Sequence, residues 1–128
     1  MIRIEHVAVW TRDLDRLSAF YRSYFAATAG PRYRSARRPF ESVFLSFPDG
    51  ARLELMCLPE LAEPDRVGET VGLAHVAIST GSRQAVDALT MRLCGDGYTV
   101  IDGPRATGDG YYESVVLDPD GNRLEITV

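Results

Sequence analysis

The sequence predicts an α+β fold of two tandem βαβββ modules with mixed sheets and the helices on the outer face. Two observations carry that prediction. "PDGARLEL" at 48–55 returns as "PDGNRLEI" at 119–126. Upstream of each copy stands one histidine, His6 in "EHVAVW" and His75 in "AHVAIS", and the chain has no other. The histidines lie 69 positions apart, and the two hairpin glutamates, Glu54 and Glu125, lie 71 apart. A single module written twice, with about two residues gained in the second copy, accounts for both spacings. Module one is expected over 1–58 and module two over 71–128. An acidic, proline-broken linker over 59–70 joins them, and the whole is read as one domain, 1–128.

The elements follow in order. "IRIEHVAVW" alternates as a strand with one apolar face: Val7 and Val9 point one way, Ile4, His6, Ala8 and Trp10 the other. "TRDLDRLSAFYRSYF" then switches to helical spacing, with Leu14, Leu17, Tyr21 and Tyr24 on one stripe and Thr11 or Asp13 as cap. A second strand is expected near 32–35, a third at "FESVFLSF" (40–47) and a fourth at "RLELMCL" (52–58). Pro-Asp-Gly between the last two closes a three-residue hairpin, because the glycine takes the left-handed position. That register sets Phe44 opposite Glu54. Module two repeats the order. It has a strand at "LAHVAIS", a helix at "SRQAVDALTMRLC" capped by Ser82 and ended by Gly95 or Gly97, and strands at "YTVID", "YYESVVL" and "RLEITV".

Composition bounds the function. The chain has 128 residues, 45% hydrophobic and 25% charged, with a net charge of −4 and a pI near 5.1, which argues against a nucleic-acid partner. No apolar run approaches a membrane span, and the N-terminus lacks the apolar stretch of a signal peptide. No membrane partner and a cytoplasmic location are therefore expected. Cys57 and Cys94 have no metal-site spacing and read as two reduced thiols. All 14 basic residues are arginine, so Schiff-base chemistry and a phosphate-loop lysine are excluded.

Alternation also decides where chemistry lies. Leu53 and Leu55 fall on one face of their strand and Glu54 on the other; Leu124 and Ile126 oppose Glu125, and Val76 and Ile78 oppose His75. The aliphatic face must meet the helix, so His and Glu point away from it. Two such half-sheets facing each other would form a cleft lined by His6, Glu54, His75 and Glu125. Two imidazoles and two carboxylates suit a divalent cation such as Zn, Ni, Co, Mn or Fe. On an octahedral ion they leave two positions for water or substrate.

With these residues in view, the chain resembles the vicinal oxygen chelate superfamily, which includes glyoxalase I, methylmalonyl-CoA epimerase, extradiol dioxygenases and the fosfomycin- and bleomycin-resistance proteins. "EHVAVWTRDLDRLSAFYRSYF", "PDGARLEL", "AHVAIS" and "DPDGNRLEI" carry the resemblance, which covers essentially the whole chain. It implies paired βαβββ modules around a divalent metal, commonly in a homodimer. The ligand set His, Glu, His, Glu resembles that of glyoxalase I and maps onto His6, Glu54, His75 and Glu125. Dioxygenases of the family use three ligands, epimerases carry Gln where Glu54 stands, and bleomycin-binding relatives have no metal site.

The resemblance thus implies a metal-dependent lyase/isomerase resembling lactoylglutathione lyase. Its small-molecule substrate would chelate through two adjacent oxygens and react through a metal-bound enediolate. The base must reach carbon, and Glu125 is the first choice, with Glu54 its symmetric alternative. The alternatives are a small-molecule-binding or resistance protein of the same fold and a ring-cleaving dioxygenase. Weaker candidates surround the four. Arg34 and Arg37, in the arginine-rich 30–40 segment, are candidate grips for substrate carboxylates. Trp10, Tyr111 and Tyr112 are candidate pocket walls. Glu113, opposite or near Glu125 in the hairpin, is a candidate supporting acid or alternative base.

Overall fold

The computed structural model describes residues 1–65 and 68–128, in two compact units, Met1–Pro64 and Asp65–Val128. The linker expected over 59–70 includes Arg66 and Val67, which lie outside the described residues; its described residues form neither helix nor strand.

The first unit runs β1 (His6–Trp10), α1 (Leu14–Phe25), β2 (Thr28–Ala29), β3 (Tyr33–Arg34), β4 (Glu41–Ser46) and β5 (Arg52–Cys57). Its sheet has the order β1-β5-β4-β2, with β3 also paired to β4. β1 is parallel to β5 and the remaining pairs are antiparallel. The second unit runs β6 (Val76–Ser79), α2 (Arg83–Gly95), β7 (Val100–Ala106), β8 (Tyr112–Leu117) and β9 (Arg123–Thr127). Its order, β6-β9-β8-β7, has β6 parallel to β9 and the rest antiparallel. Two mixed-sheet modules of the same topology are therefore present, as the repeat predicts.

The helices begin where their caps predict. Asp13 accepts from the Arg16 N–H at 3.0 Å, and Ser82 accepts from the Ala85 N–H at 3.1 Å, each satisfying a donor that the first helical turn leaves over. Leu14, Leu17, Phe20, Tyr21 and Phe25 bury one side of α1 against Val43, Leu45, Leu53 and Leu55 of β4 and β5. In the second unit Val86, Thr90 and Leu93 of α2 cover Val116, Leu124 and Ile126. A buried hydroxyl pair, Thr90 Oγ1 and Ser114 Oγ at 2.7 Å, joins helix to sheet there. α1 ends at Ala26, an alanine in the left-handed region (φ 53°), and α2 runs through Gly95 with Gly97 (φ 94°) beyond it.

The expected second strand differs in both units. In the first it is split into β2 and β3, flanking Gly30-Pro31. In the second, β7 begins later than "YTVID" suggests and continues to Ala106, with its register broken between Asp102 and Arg105. Both interruptions fall on the tripeptide Gly-Pro-Arg, at 30–32 and 103–105, a third element of the repeat. Proline has no N–H for the ladder, so a strand can carry it only at an edge or irregularity. At Gly103 the demand is sterically absolute: φ is 75°, and a Cβ would stand 2.5 Å from the Glu113 carbonyl oxygen.

The two Pro-Asp-Gly turns place Gly50 and Gly121 at φ 84° and 79° and pair Leu45 with Leu53 and Leu117 with Arg123. Phe44 consequently faces Glu54, the register read from the turn. The second turn is the more heavily braced. Asp118, 4% exposed, accepts from the Asp120 and Asn122 N–H groups at 2.9 Å and from the Asn122 side-chain amide at 2.8 Å. Phe47 occupies the matching place in the first turn.

Candidate functional site

The polar face of each sheet is built by strand parity. In β1, Val7 and Val9 turn inward and are half-buried, while His6, Ala8 and Trp10 are exposed. Parallel pairing puts Ala8 opposite Glu54 and His6 opposite Arg52. In the second unit Ala77 stands opposite Glu125, and His75 sits one residue before the start of β6. A small alanine beside each glutamate leaves room for the histidine two residues upstream to lean over it.

The result is a matched pair in each unit. His6 Nε2 lies 3.7 Å from Glu54 Oε1, and His75 Nε2 lies 3.1 Å from Glu125 Oε2. The exposures match too. The glutamate side chains retain 16% and 14%, the histidine side chains 39% and 40%, so each carboxylate is recessed beneath an accessible ring. Two donors on one ion at ~2.0–2.2 Å stand about 3.0–3.5 Å apart at octahedral or tetrahedral angles. The His75–Glu125 pair falls within that spacing, the His6–Glu54 pair at 3.7 Å lies just beyond it, and both present the same nitrogen. Within neither unit do three or more His, Cys, Asp or Glu side chains of the described residues gather into a metal-holding group. Each unit therefore offers two donors of a candidate centre.

The surroundings of the two pairs differ. His6 packs edge-on against Phe44, with ring centroids 5.2 Å apart, and its Nδ1 is bonded to Glu5. Arg52 donates to Glu5 through Nε at 2.9 Å and through Nη2, and its guanidinium lies 4.1 Å over the Phe44 ring. The hydrogen bond to His6, then that to Arg52, holds the Glu5 carboxyl below the usual carboxylate range. In the second unit the corresponding residues are Ala74 and Val115, so the frame around the histidine is missing.

Glu113 pairs with Thr127 across the ladder, and Glu125 with Val115. The two glutamates are thus diagonal neighbours on one face, and a hydrogen bond between their side chains pushes Glu113 above the usual carboxylate range. Trp10 lies on the His6 face, 6.2 Å edge-on to Phe40, with Tyr33 6.3 Å from Phe40 and Arg38 over the same ring at 4.8 Å. Arg34 is paired with Glu41 at 2.7 Å, so its charge is already answered within the sheet. The Arg37 side chain has no partner among the described residues. Tyr111 is exposed just before β8. Tyr112 corrects the sequence reading: its hydroxyl donates to Asp87 of α2 at 2.6 Å, which places it on the helix side of the sheet, away from the histidine–glutamate face. Glu5 and Phe44 were the residues sequence reasoning did not single out for a role. The signal was "EHV" in one copy against "AHV" in the other.

Against known proteins, the family model for the Glyoxalase/Bleomycin resistance protein/Dioxygenase superfamily matches residues 3–126. The chain belongs to that superfamily, which includes glyoxalase I and dioxygenases and whose members generally use divalent metals. The uncharacterized protein YqjT of Bacillus subtilis (strain 168) is 37% identical over 67 residues, 50% of this chain and 52% of that one, so the match spans about half of that relative's length. A possible glyoxalase from Bacillus cereus superposes with a TM-score of 0.71 at 25% identity, covering 100% of both chains. The trypanothione-dependent glyoxalase I of Leishmania major gives 0.78 at 20% identity, over 99% of this chain and 86% of that one, a likeness of fold.

Proposed function

We propose that the protein is a metal-dependent lyase/isomerase of the glyoxalase I type, in which His6, Glu54, His75 and Glu125 together hold one divalent ion. The observation that supports it is the repetition of an Nε2–carboxylate pair in both units, at 3.7 Å in the first and 3.1 Å in the second. The ion, Zn, Ni, Co, Mn or Fe, would supply Lewis-acid stabilisation of the negative charge that develops on substrate oxygen, worth several kcal/mol. The chain's own work is proton transfer. Glu125 takes the proton from the carbon beside the carbonyl, from a recessed position that still keeps 14% exposure to solvent. Glu113, hydrogen-bonded to it on the same face, serves to steady the carboxylate in position. Glu54 is the symmetric partner, with Phe44 beside it where Glu125 has Val115. The substrate is a small molecule with two adjacent oxygens, gripped at its far end by Arg37 and walled by Trp10.

The reading includes a cytoplasmic homodimer. Cys57 and Cys94 are free, as they would stay in a reducing compartment. Within their own sheets β1 and β6 each have a neighbour on one side only, and Ile2, Ile4, Val71 and Leu73, just before them, are exposed. Among the described residues no helix is long and apolar enough to cross a membrane.

The test is metal content of the purified protein together with proton exchange from solvent into a hemithioacetal or a 2-hydroxy ketone. About one ion per chain with exchange supports the proposal. Metal-free protein that binds a small molecule tightly would replace it with a sequestering role. Bound iron without exchange would replace it with a ring-cleaving oxygenase.

A further inference from the structure

Glu5, His6, Phe44 and Arg52 close a ring of contacts that has no counterpart in the second unit. Arg52 caps the Phe44 face at 4.1 Å and donates to Glu5 at 2.9 Å; Glu5 accepts from His6 Nδ1; and His6 returns to Phe44 edge-on at 5.2 Å. An ionised carboxylate can only accept, so in the neutral ring Nδ1 carries the proton and Nε2 keeps its lone pair. That lone pair is on the nitrogen nearest Glu54. His75 follows Ala74 and has no carboxylate on its Nδ1 among the described residues.

We propose that Glu5 is a positioning residue, which locks His6 in the Nδ1–H tautomer and orientation and makes it the prearranged donor of the metal centre. His75 is then the donor that settles when the ion arrives. The inference rests on the metal-binding reading above and adds an inequality between two histidines that the repeat would make equivalent. A carboxylate on the outer nitrogen of a ligating histidine typically changes metal affinity by about 10–100-fold when removed. Glu5 and Arg52 are themselves half-exposed, and ion pairs of that kind stabilise a fold little.

The experiment uses full-length protein freed of metal, with Zn and Co as probes. Ring nitrogen shifts in the metal-free wild type should show His6 as the Nδ1–H tautomer and His75 with its proton on Nε2, toward Glu125. Glu5→Ala should return His6 to a mixture, weaken Zn and Co binding about 10–100-fold, and leave the melting temperature nearly unchanged. Glu5→Gln, which keeps an acceptor, should fall between the two. A mixed His6 tautomer in the wild type, or unchanged metal affinity in Glu5→Ala, overturns the inference and leaves the metal reading standing. A wild type that binds neither ion overturns both.

Discussion

His75 Nε2 stands 3.1 Å from Glu125 Oε2, although 50 positions separate the two residues in the chain. The parallel pairing of β6 with β9 makes the meeting possible. It sets Ala77 opposite Glu125, and His75, two residues earlier, falls on the same face with nothing larger than an alanine methyl between. His6 and Glu54 meet by the same construction. The consequences can be tested one residue at a time.

The histidines and glutamates should separate as donors and base. His6→Ala and His75→Ala each delete a nitrogen donor and should lose metal and turnover together. Glu125→Gln keeps a donor oxygen but cannot take a proton at neutral pH. It should retain metal and lose on the order of 10²–10⁴-fold in proton exchange. Glu54→Gln should be milder. Metal analysis with exchange rates across the four variants decides it, and near-normal exchange in Glu125→Gln with none in Glu54→Gln would reverse the assignment.

The two Gly-Pro-Arg glycines should respond differently to a methyl group. At Gly103 an alanine Cβ would stand 2.5 Å from the Glu113 carbonyl oxygen at a φ of 75°, so Gly103→Ala should destabilise by about 1–3 kcal/mol. At Gly30 the nearest atom, the Phe44 carbonyl oxygen, is 3.5 Å away, an ordinary contact, and Gly30→Ala should be nearly neutral. Denaturant midpoints compare them; equal losses would mean that the steric reading of Gly103 is wrong.

Asp118→Ala removes the acceptor of two turn N–H groups in a position only 4% exposed. Leaving those donors without their partner should cost about 1–3 kcal/mol in stability. Asn restores an acceptor and should recover most of it. Urea unfolding of the two variants supplies the comparison, and an Ala variant as stable as wild type would show the turn to be held by its glycine alone.

Tyr112 should be a late-titrating tyrosine. Its hydroxyl donates to Asp87 at 2.6 Å, and that bond, then burial, raises its pKa above the ordinary tyrosine value. Because the folded value lies above the unfolded one, the stabilisation is complete below the ordinary tyrosine range. It is lost as pH rises through the folded value. Ultraviolet difference titration of wild type and Tyr112→Phe should lose one late component in the variant; identical curves would sink the idea.

Dimerisation is checked by mass in solution. A stable mass of twice the chain, reduced to one by Ile4→Asp or Leu73→Asp, is expected; a monomer fully loaded with metal would remove the dimer from the reading.

Much of this molecule could be read from local pattern. Period-two alternation places Leu53, Leu55, Leu124 and Ile126 on one face and Glu54 and Glu125 on the other, because successive strand residues must point to opposite sides. Pro-Asp-Gly sets hairpin register, and with it the pairing of Phe44 with Glu54, since a three-residue turn permits one alignment. Asp13 and Ser82 mark helix starts for the same local reason: the first turn needs an acceptor. What only the tertiary structure decided depends on neighbours distant in sequence. Strand parity alone could not show that β1 lies beside β5 and β6 beside β9, the pairings that bring each histidine to its glutamate. Nor could composition tell Tyr112, held by Asp87 of a helix, from a residue of the polar face. The difference between the histidines was visible as "EHV" against "AHV", but it acquired meaning only when Arg52, 47 positions downstream, was found holding Glu5 against the ring. A carboxylate beside a histidine in sequence is common, and only a third group that fixes it in space makes it a positioned partner.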